Sequence, residues 1–175
     1  MRKLKLIFKI LQAYLNPYKY MRKSGINFAG EGTVTLYTNP YKTFGSDPWM
    51  ITLGDNVYIT SGVRFITHDG GTLILRKEVP DLEITKPIKV GNDVYFGVNS
   101  MVMPGVTIGN RCIIAAGAIV TKDVPDNSVV AGVPAKVVKT TDEYLEKIKG
   151  ESLHLGHLKG EEKARELKKI YHIND

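Results

Sequence analysis

From Ile84 onward, every sixth residue is apolar: Ile84, Val90, Phe96, Val102, Ile108, Ile114 and Val120. With 43% of the 175 residues apolar, seven in a row would arise by chance roughly 0.003 of the time in a preset phase, and about 0.02 if any of six phases is allowed. A second column, four residues further on, holds only small or aliphatic residues: Ile88, Val94, Ser100, Val106, Cys112, Ala118 and Val124. An earlier block repeats both columns with Leu53, Ile59 and Phe65, joined by Val57 and Val63. Glycine follows the first-column residue at Gly54, Gly91, Gly97 and Gly109.

A period of six fits neither a 3.6-residue helix nor an alternating strand. It fits short strands joined by tight turns, with one side chain of each hexad pointing inward. Three such sides close a triangular coil of 18 residues, and successive coils stack as parallel strands. The repeated Gly, Asn and Asp are expected to supply turn conformations with positive φ. A β-sandwich would instead space its strands about 8–12 residues apart. The expected fold is all-β with helical ends, a parallel β-helix of hexapeptide repeats. Cys112 falls in an inward column, where a thiol packs as a small hydrophobe rather than as a nucleophile.

Composition narrows the class. The chain is long enough for one domain with a real core, and a charged fraction of 24% argues against wholesale disorder. Twenty-four Lys+Arg against 18 Asp+Glu give a formal charge of +6, a leaning that suits an anionic ligand or surface. A single cysteine excludes an internal disulfide and a Cys-rich metal site. No run of 18 apolar residues and no signal-peptide pattern occur, so a soluble cytoplasmic protein is expected.

Two stretches carry a resemblance: "FGSDPWMITLGDNVYITSGVRFITHDGG" (44–71) and "PIKVGNDVYFGVNSMVMPGVTIGNRCIIAAGAIVTKDVPDNSVVAGVPAKVVK" (87–139). With "GAIVTKDVP" and "GVPAKVVK" following six-residue repeats, the chain resembles the hexapeptide-repeat acyltransferases. It is most similar to the O-acetyltransferases of sugars and bacterial surface polysaccharides, of the maltose and galactoside acetyltransferase type. The resemblance implies a left-handed coil, although general sheet topology favours right-handed crossovers. It also implies a homotrimer with three active sites at the junctions of neighbouring coils, and acetyl-CoA as donor.

The interruption of the repeat then acquires meaning. Phe65 to Ile84 is 19 residues, three hexads plus one, so the segment from about 66 to 83 must leave the coil as a loop. His68 is the first residue well inside that departure. An imidazole titrates near pH ~6.5 and can take and return a hydroxyl proton, the step that acetyl transfer to an alcohol needs. The matching histidine in the resembled enzymes is the general base. Asp47, in "FGSDPW", is the candidate to orient His68 or to hold the acceptor; Asp69 is the alternative, though neighbours in an extended chain point apart. Trp49 is expected either to stack on a sugar or to plug the core. His154, His157 and His172 read as ordinary surface histidines, and no metal site is expected.

On the donor side, the resemblance puts Ala116 and Gly117 beside the pantetheine arm, Thr121 and Lys122 further along the groove, and Lys139 at the nucleotide phosphates. Relatives often carry arginine at the last position; lysine keeps the charge without the bidentate fork. Gly97 and Val98 match the place where an N–H or a small polar group meets the thioester. Valine in place of a serine leaves only a backbone N–H as oxyanion donor.

At the ends, residues 1–24 read as an amphipathic helical segment, with Leu4, Ile7, Phe8, Leu11 and Leu15 at helical spacing among Arg2, Lys3, Lys5 and Lys9. Packing on its own trimer or capping the first coil is the favoured role. Peripheral contact with an anionic membrane, at its inner face, is the alternative. Residues 25–139 form the coil and 140–175 a helical extension. The charge is mixed and no nucleic-acid module occurs. The function expected is acetyl-CoA-dependent O-acetylation of a sugar or polysaccharide precursor. The rivals are acetylation of a xenobiotic such as an antibiotic, N-acetylation of an aminosugar, and a catalytically silent β-helix scaffold. A β-helix carbonic anhydrase would need several coil-borne histidines that are absent.

Overall fold

In an extended segment, residues two apart face the same way, and this alternation builds the core. The computed structural model describes residues 2–173, of which 2–6 and 9 are described by backbone alone. Three sheets of short strands form the sides of a prism. Sheet one contains β1 (Asn27–Phe28), β3 (Ile51–Leu53), β6 (Ile88–Val90) and β9 (Thr107–Ile108). Sheet two runs β2 (Val34–Leu36), β4 (Val57–Ile59), β7 (Tyr95–Phe96), β10 (Ile113–Ile114), β12 (Ser128–Ala131) and β13 (Lys136–Thr140). Sheet three has β5 (Arg64–Phe65), β8 (Met101–Val102) and β11 (Ile119–Val120). The chain visits the sheets in rotation, and every pairing is parallel except β12 with β13, which fold back antiparallel and close that edge. This is a parallel β-helix.

Both columns point inward, two side chains per hexad rather than one. Val90, Phe96, Val102, Ile108, Ile114 and Val120 are buried, and so are Ile88, Val94, Ser100, Val106, Cys112, Ala118 and Val124. Ile84 is the exception among the expected inward residues. It is 39% exposed, because its carbonyl accepts from Asp69 N–H in the stem of the loop and it never joins the coil. Val124 is buried but stands opposite Ile108, in the first column rather than the second. The last coil is two residues short. Stacked partners such as Val90 and Ile108 are 18 residues apart, but the spacing falls to 16 between Ile108 and Val124, and again between Ile114 and Val130. Phe65 meets Phe96 edge-on at 5.1 Å and stacks on Phe44 at 5.4 Å in the middle of this core.

The corner between sheets one and two explains a repeated tripeptide, Gly54-Asp55-Asn56, Gly91-Asn92-Asp93 and Gly109-Asn110-Arg111. The glycines are not in the left-handed region, contrary to expectation. They are glycines because the next coil runs against them: a Cβ on Gly54 would lie 2.5 Å from Gly91 O, and one on Gly109 2.6 Å from Asp126 N. The left-handed residues are the third of each triplet, Asn56, Asp93 and Arg111, as expected for Asn and Asp. The second residue carries a ladder. Asn92 Oδ1 accepts from Asp55 N–H, Asn110 Oδ1 from Asn92 N–H, and Asp126 Oδ1 from Asn110 N–H. Asp55 itself accepts from the N–H groups of Thr33, Glu31 and Gly32, which hold its carboxyl below the usual range.

The helical ends are α1 (Arg2–Leu15), α2 (Pro17–Ser24), α4 (Thr141–Glu151) and α5 (Gly160–Ile170), with a short α3 (Thr72–Leu75) in the loop. Asn16 caps α2, accepting from Lys19 N–H, and Pro17 opens it without forfeiting a bond. Gly25, at φ +91°, ends it. Met21 of α2 is wholly buried against the first coil and plugs the open end of the prism. The residues up to Thr141 form one compact unit and those from Asp142 another, containing α5.

Candidate active site

His68 sits where the loop leaves sheet three. Ile66 N–H still donates to Val102 O, as a coil residue should. Thr67 then pairs with Lys86, His68 bridges Thr85 in antiparallel sense, and Asp69 N–H donates to Ile84 O. The imidazole is thus held on a two-stranded stem rooted in the coil, not on the loop tip. Beyond the stem, Arg76 ties the loop to itself through Glu83 at 2.5 Å and the Leu82 carbonyl.

A second segment reaches His68 from the preceding coil. Asp47 precedes the 3-10 turn Pro48–Met50, and its Oδ2 lies 3.0 Å from His68 Nδ1. The same oxygen accepts from Ser46 Oγ at 2.9 Å and Thr67 Oγ1 at 3.1 Å. Burial pushes the Asp47 carboxyl up, but these three partners outweigh it and hold it below its ordinary range. An ionised carboxylate only accepts, so Nδ1 carries a proton, and in the neutral imidazole the lone pair is on Nε2. The His68 side chain remains 43% exposed. That arrangement can accept a proton from a hydroxyl placed at Nε2.

Asp69 does not compete for the imidazole: its Oδ1 accepts from Gly71 N–H and shapes the turn into α3. Trp49, two residues from Asp47, is 57% exposed, so it does not plug the core. Ser46 and Thr67 are the members of this cluster that sequence reasoning missed. The signals available were adjacency alone: Thr67 precedes His68, and Ser46 precedes Asp47, to which its hydroxyl donates.

The donor-side residues lie in three places. Gly97–Val98 and Ala116–Gly117 occupy equivalent corners of successive coils, between sheets two and three. Gly97 has no room for a side chain, since a Cβ would stand 2.4 Å from Ala116 N. Its N–H is engaged by Ile114 O, and Gly117 N–H by Val98 O. Val98 N–H has no hydrogen-bond partner among the described residues. Thr121 and Lys122 are exposed just past β11. Because Phe65, Val102 and Val120 are in register, they leave the same end of sheet three as His68, two coils or roughly 10 Å further along. Lys139 is on β13, opposite Val129 at the edge of sheet two. Among the described residues, none of these groups hydrogen-bonds to His68 or Asp47. Among the described residues, no group of His, Cys, Asp or Glu is arranged to hold a metal ion. Cys112 is buried with its thiol directed at the Asn110 and Pro125 carbonyls, and burial pushes its pKa up.

Comparison with known proteins puts this geometry in context. The family described as bacterial transferase hexapeptide (six repeats) matches residues 87–122. The chain is 41% identical over 170 residues to protein CapG of Staphylococcus aureus, covering 97% of this chain and 94% of that protein. It is 39% identical over 118 residues to the galactoside O-acetyltransferase of Escherichia coli (strain K12), covering 65% of this chain and 57% of that protein. A hexapeptide-repeat-containing acetyltransferase from Vibrio cholerae O1 biovar eltor, solved in complex with acetyl coenzyme A, shares the fold. The TM-score is 0.53 at 23% identity, over 75% of this chain and 82% of that one.

Proposed function

The chain belongs to the hexapeptide-repeat acyltransferase family, and from that premise we propose that it transfers an acetyl group from acetyl-CoA to a hydroxyl of a sugar or surface-polysaccharide precursor. The observation that carries this reading is the 3.0 Å contact between Asp47 Oδ2 and His68 Nδ1, which leaves Nε2 as the base. His68 removes the hydroxyl proton while the oxygen attacks the acetyl carbonyl carbon. The tetrahedral intermediate collapses, the C–S bond breaks, and the CoA thiolate takes the proton back from the imidazolium. Val98 N–H is the oxyanion donor, since it alone of the two candidate N–H groups is free of the coil. Direct transfer is favoured over an acyl-enzyme because the one thiol is buried and its pKa is raised.

Gly97, Ala116 and Gly117 line the pantetheine path, Thr121 and Lys122 the groove beyond it, and Lys139 meets the phosphates. Asp47 orients the base, and the exposed Trp49 beside it stacks on the acceptor. The coil is left-handed and the enzyme a homotrimer. Three copies would bring donor-side residues of one protomer to His68 of the next, which accounts for their separation within a single chain.

The test is thiol release from acetyl-CoA over a panel of sugars and acceptor drugs, wild type against His68→Ala. Acceptor-dependent release should fall by about 10²–10⁴-fold in the variant, the usual worth of a general base. Undiminished release would remove His68 from the mechanism. A drug as the sole acceptor would move the substrate class to xenobiotics, and neither turnover nor CoA binding would leave a scaffold.

A further inference from the structure

The surplus positive charge of this chain is confined to one segment. Residues 1–24 contain seven Lys or Arg and no Asp or Glu, which leaves 17 basic against 18 acidic residues in the rest. In the same segment, α1 presents an uncovered apolar face. Ile7, Phe8, Leu11, Tyr14 and Leu15 are 61%, 67%, 51%, 75% and 71% exposed. They fall within about 120° of the helix circumference at 100° per residue, while Ala13, on the opposite side, is buried. The side chains of Leu4, Arg2, Lys3, Lys5 and Lys9 lie outside the described residues.

Capping the coil does not explain this face, because Met21 of α2 already plugs that end. A second copy of the chain is a poor match for the charge, since everything beyond residue 24 carries a net charge of only −1. Spanning is excluded for α1: its 14 residues reach about 21 Å against a hydrocarbon core of about 30 Å. What fits a short helix with one apolar face, exposed Lys19 and Lys23 just after it, and tyrosines at its end is an interface that is greasy inside and anionic outside.

We propose that α1 docks the protein on an anionic lipid bilayer surface, its Ile7–Leu15 face entering the headgroup boundary while Lys19 and Lys23 just beyond it meet lipid phosphates. This takes the membrane alternative over the packed helix favoured from the sequence, and it stands apart from the acyl-transfer reading, so either can fail alone.

The experiment is co-sedimentation of the full chain with phosphatidylcholine vesicles, with and without phosphatidylglycerol, at low and high salt. The protein should pellet with the phosphatidylglycerol vesicles at low salt, and the bound fraction should fall with added salt. Phe8→Ser with Leu11→Ser should reduce the vesicle affinity at least tenfold, as should Lys19→Glu with Lys23→Glu, each with an unchanged circular dichroism melt. Absence of pelleting with phosphatidylglycerol at low salt would overturn the proposal. So would wild-type affinity in either variant, or binding indifferent to phosphatidylglycerol. Dissociation of an oligomer by Phe8→Ser and Leu11→Ser, seen by light scattering without any change in vesicle binding, would assign the face to a second copy instead.

Discussion

Gly109→Ala tests the claim that the corner glycines are set by the coil above and below rather than by backbone conformation. Gly109 is not in the left-handed region, so alanine can adopt its backbone. Its Cβ would nonetheless stand 2.6 Å from Asp126 N and 3.0 Å from Asp126 Cα. Ordinary contact begins at 3.4 Å, so the coils must part by about 0.8 Å or tilt equivalently. The bonds from Gly109 N–H to Val124 O and from Asn127 N–H to Asn110 O, both 2.9 Å, would stretch to about 3.7 Å, outside hydrogen-bonding range. Two such bonds contribute ~1–3 kcal/mol. Against this, alanine stabilises by ~0.4–1 kcal/mol through the unfolded chain. A net loss of ~1–2 kcal/mol is expected, in line with overpacking of cores. The control is Gly70→Ala, where a Cβ meets nothing within 4 Å; it should be neutral or slightly stabilising. Urea unfolding followed by circular dichroism, at one fixed protein concentration, would show a midpoint lowered by ~0.5–1 M for Gly109→Ala with m near ~1–3 kcal/mol/M. A midpoint equal to or above that of Gly70→Ala refutes the close-approach argument.

Other outcomes are expected at three positions. Ser100 Oγ is buried with no hydrogen-bond partner among the described residues, and Ala118 holds the equivalent place one coil on; Ser100→Ala should therefore raise stability by up to ~1 kcal/mol in the same urea assay, and a loss beyond that size would contradict it. Asp47 has its carboxyl held below its ordinary range, so its stabilising contribution is present above pH ~4 and fades as pH falls through the lower folded value. The stability advantage of wild type over Asp47→Asn should accordingly be level from about pH 5 to 8 and shrink below about pH 4, while activity falls at all pH values with little change in the KM for acetyl-CoA. A stability gap that widens in acid would reverse the sign of this argument. Lys139→Ala should raise the KM for acetyl-CoA by about tenfold, a single charge-assisted contact, and leave kcat near wild type; equal KM values for acetyl-CoA and for a donor lacking the 3′-phosphate would be expected only in the variant.

The coil itself was legible because its two columns are chemically uniform over many turns, and the loop because 19 is not a multiple of six. The details that escaped have physical reasons. A two-residue strand still alternates, so the residue two before each first-column side chain also faces the core; the second column already said so. Ile84 obeys the period by composition but belongs to an antiparallel stem, which no six-residue count can distinguish. The two-residue deficit before Val124 is invisible because valine suits either column. The His68–Asp47 contact could be anticipated from residue types, whereas Thr67 reaches Asp47 only through the stacking of one coil on the next, and Ser46, its neighbour in sequence, only through the local turn of the chain. Residue type alone points the corner glycines towards turn conformation when crowding is what demands them, a distinction that lies in the neighbouring coil and not in the local sequence.

The ladder at that corner has a direction. Each side-chain oxygen, on Asn92, Asn110 and Asp126, serves an N–H of the coil that precedes it in the chain. A coil is therefore left incomplete until its successor is laid down. Synthesis runs the same way, so the growing prism carries one waiting corner at its leading edge, and β12–β13 end the wait. Loss of coils from the two ends is then unequal in kind. Stripping the carboxyl end bares an N–H that a side-chain oxygen had served, whereas stripping the amino end bares that side-chain oxygen together with the N–H of the third corner residue, which donates to the preceding coil at Asp93, Arg111 and Asn127.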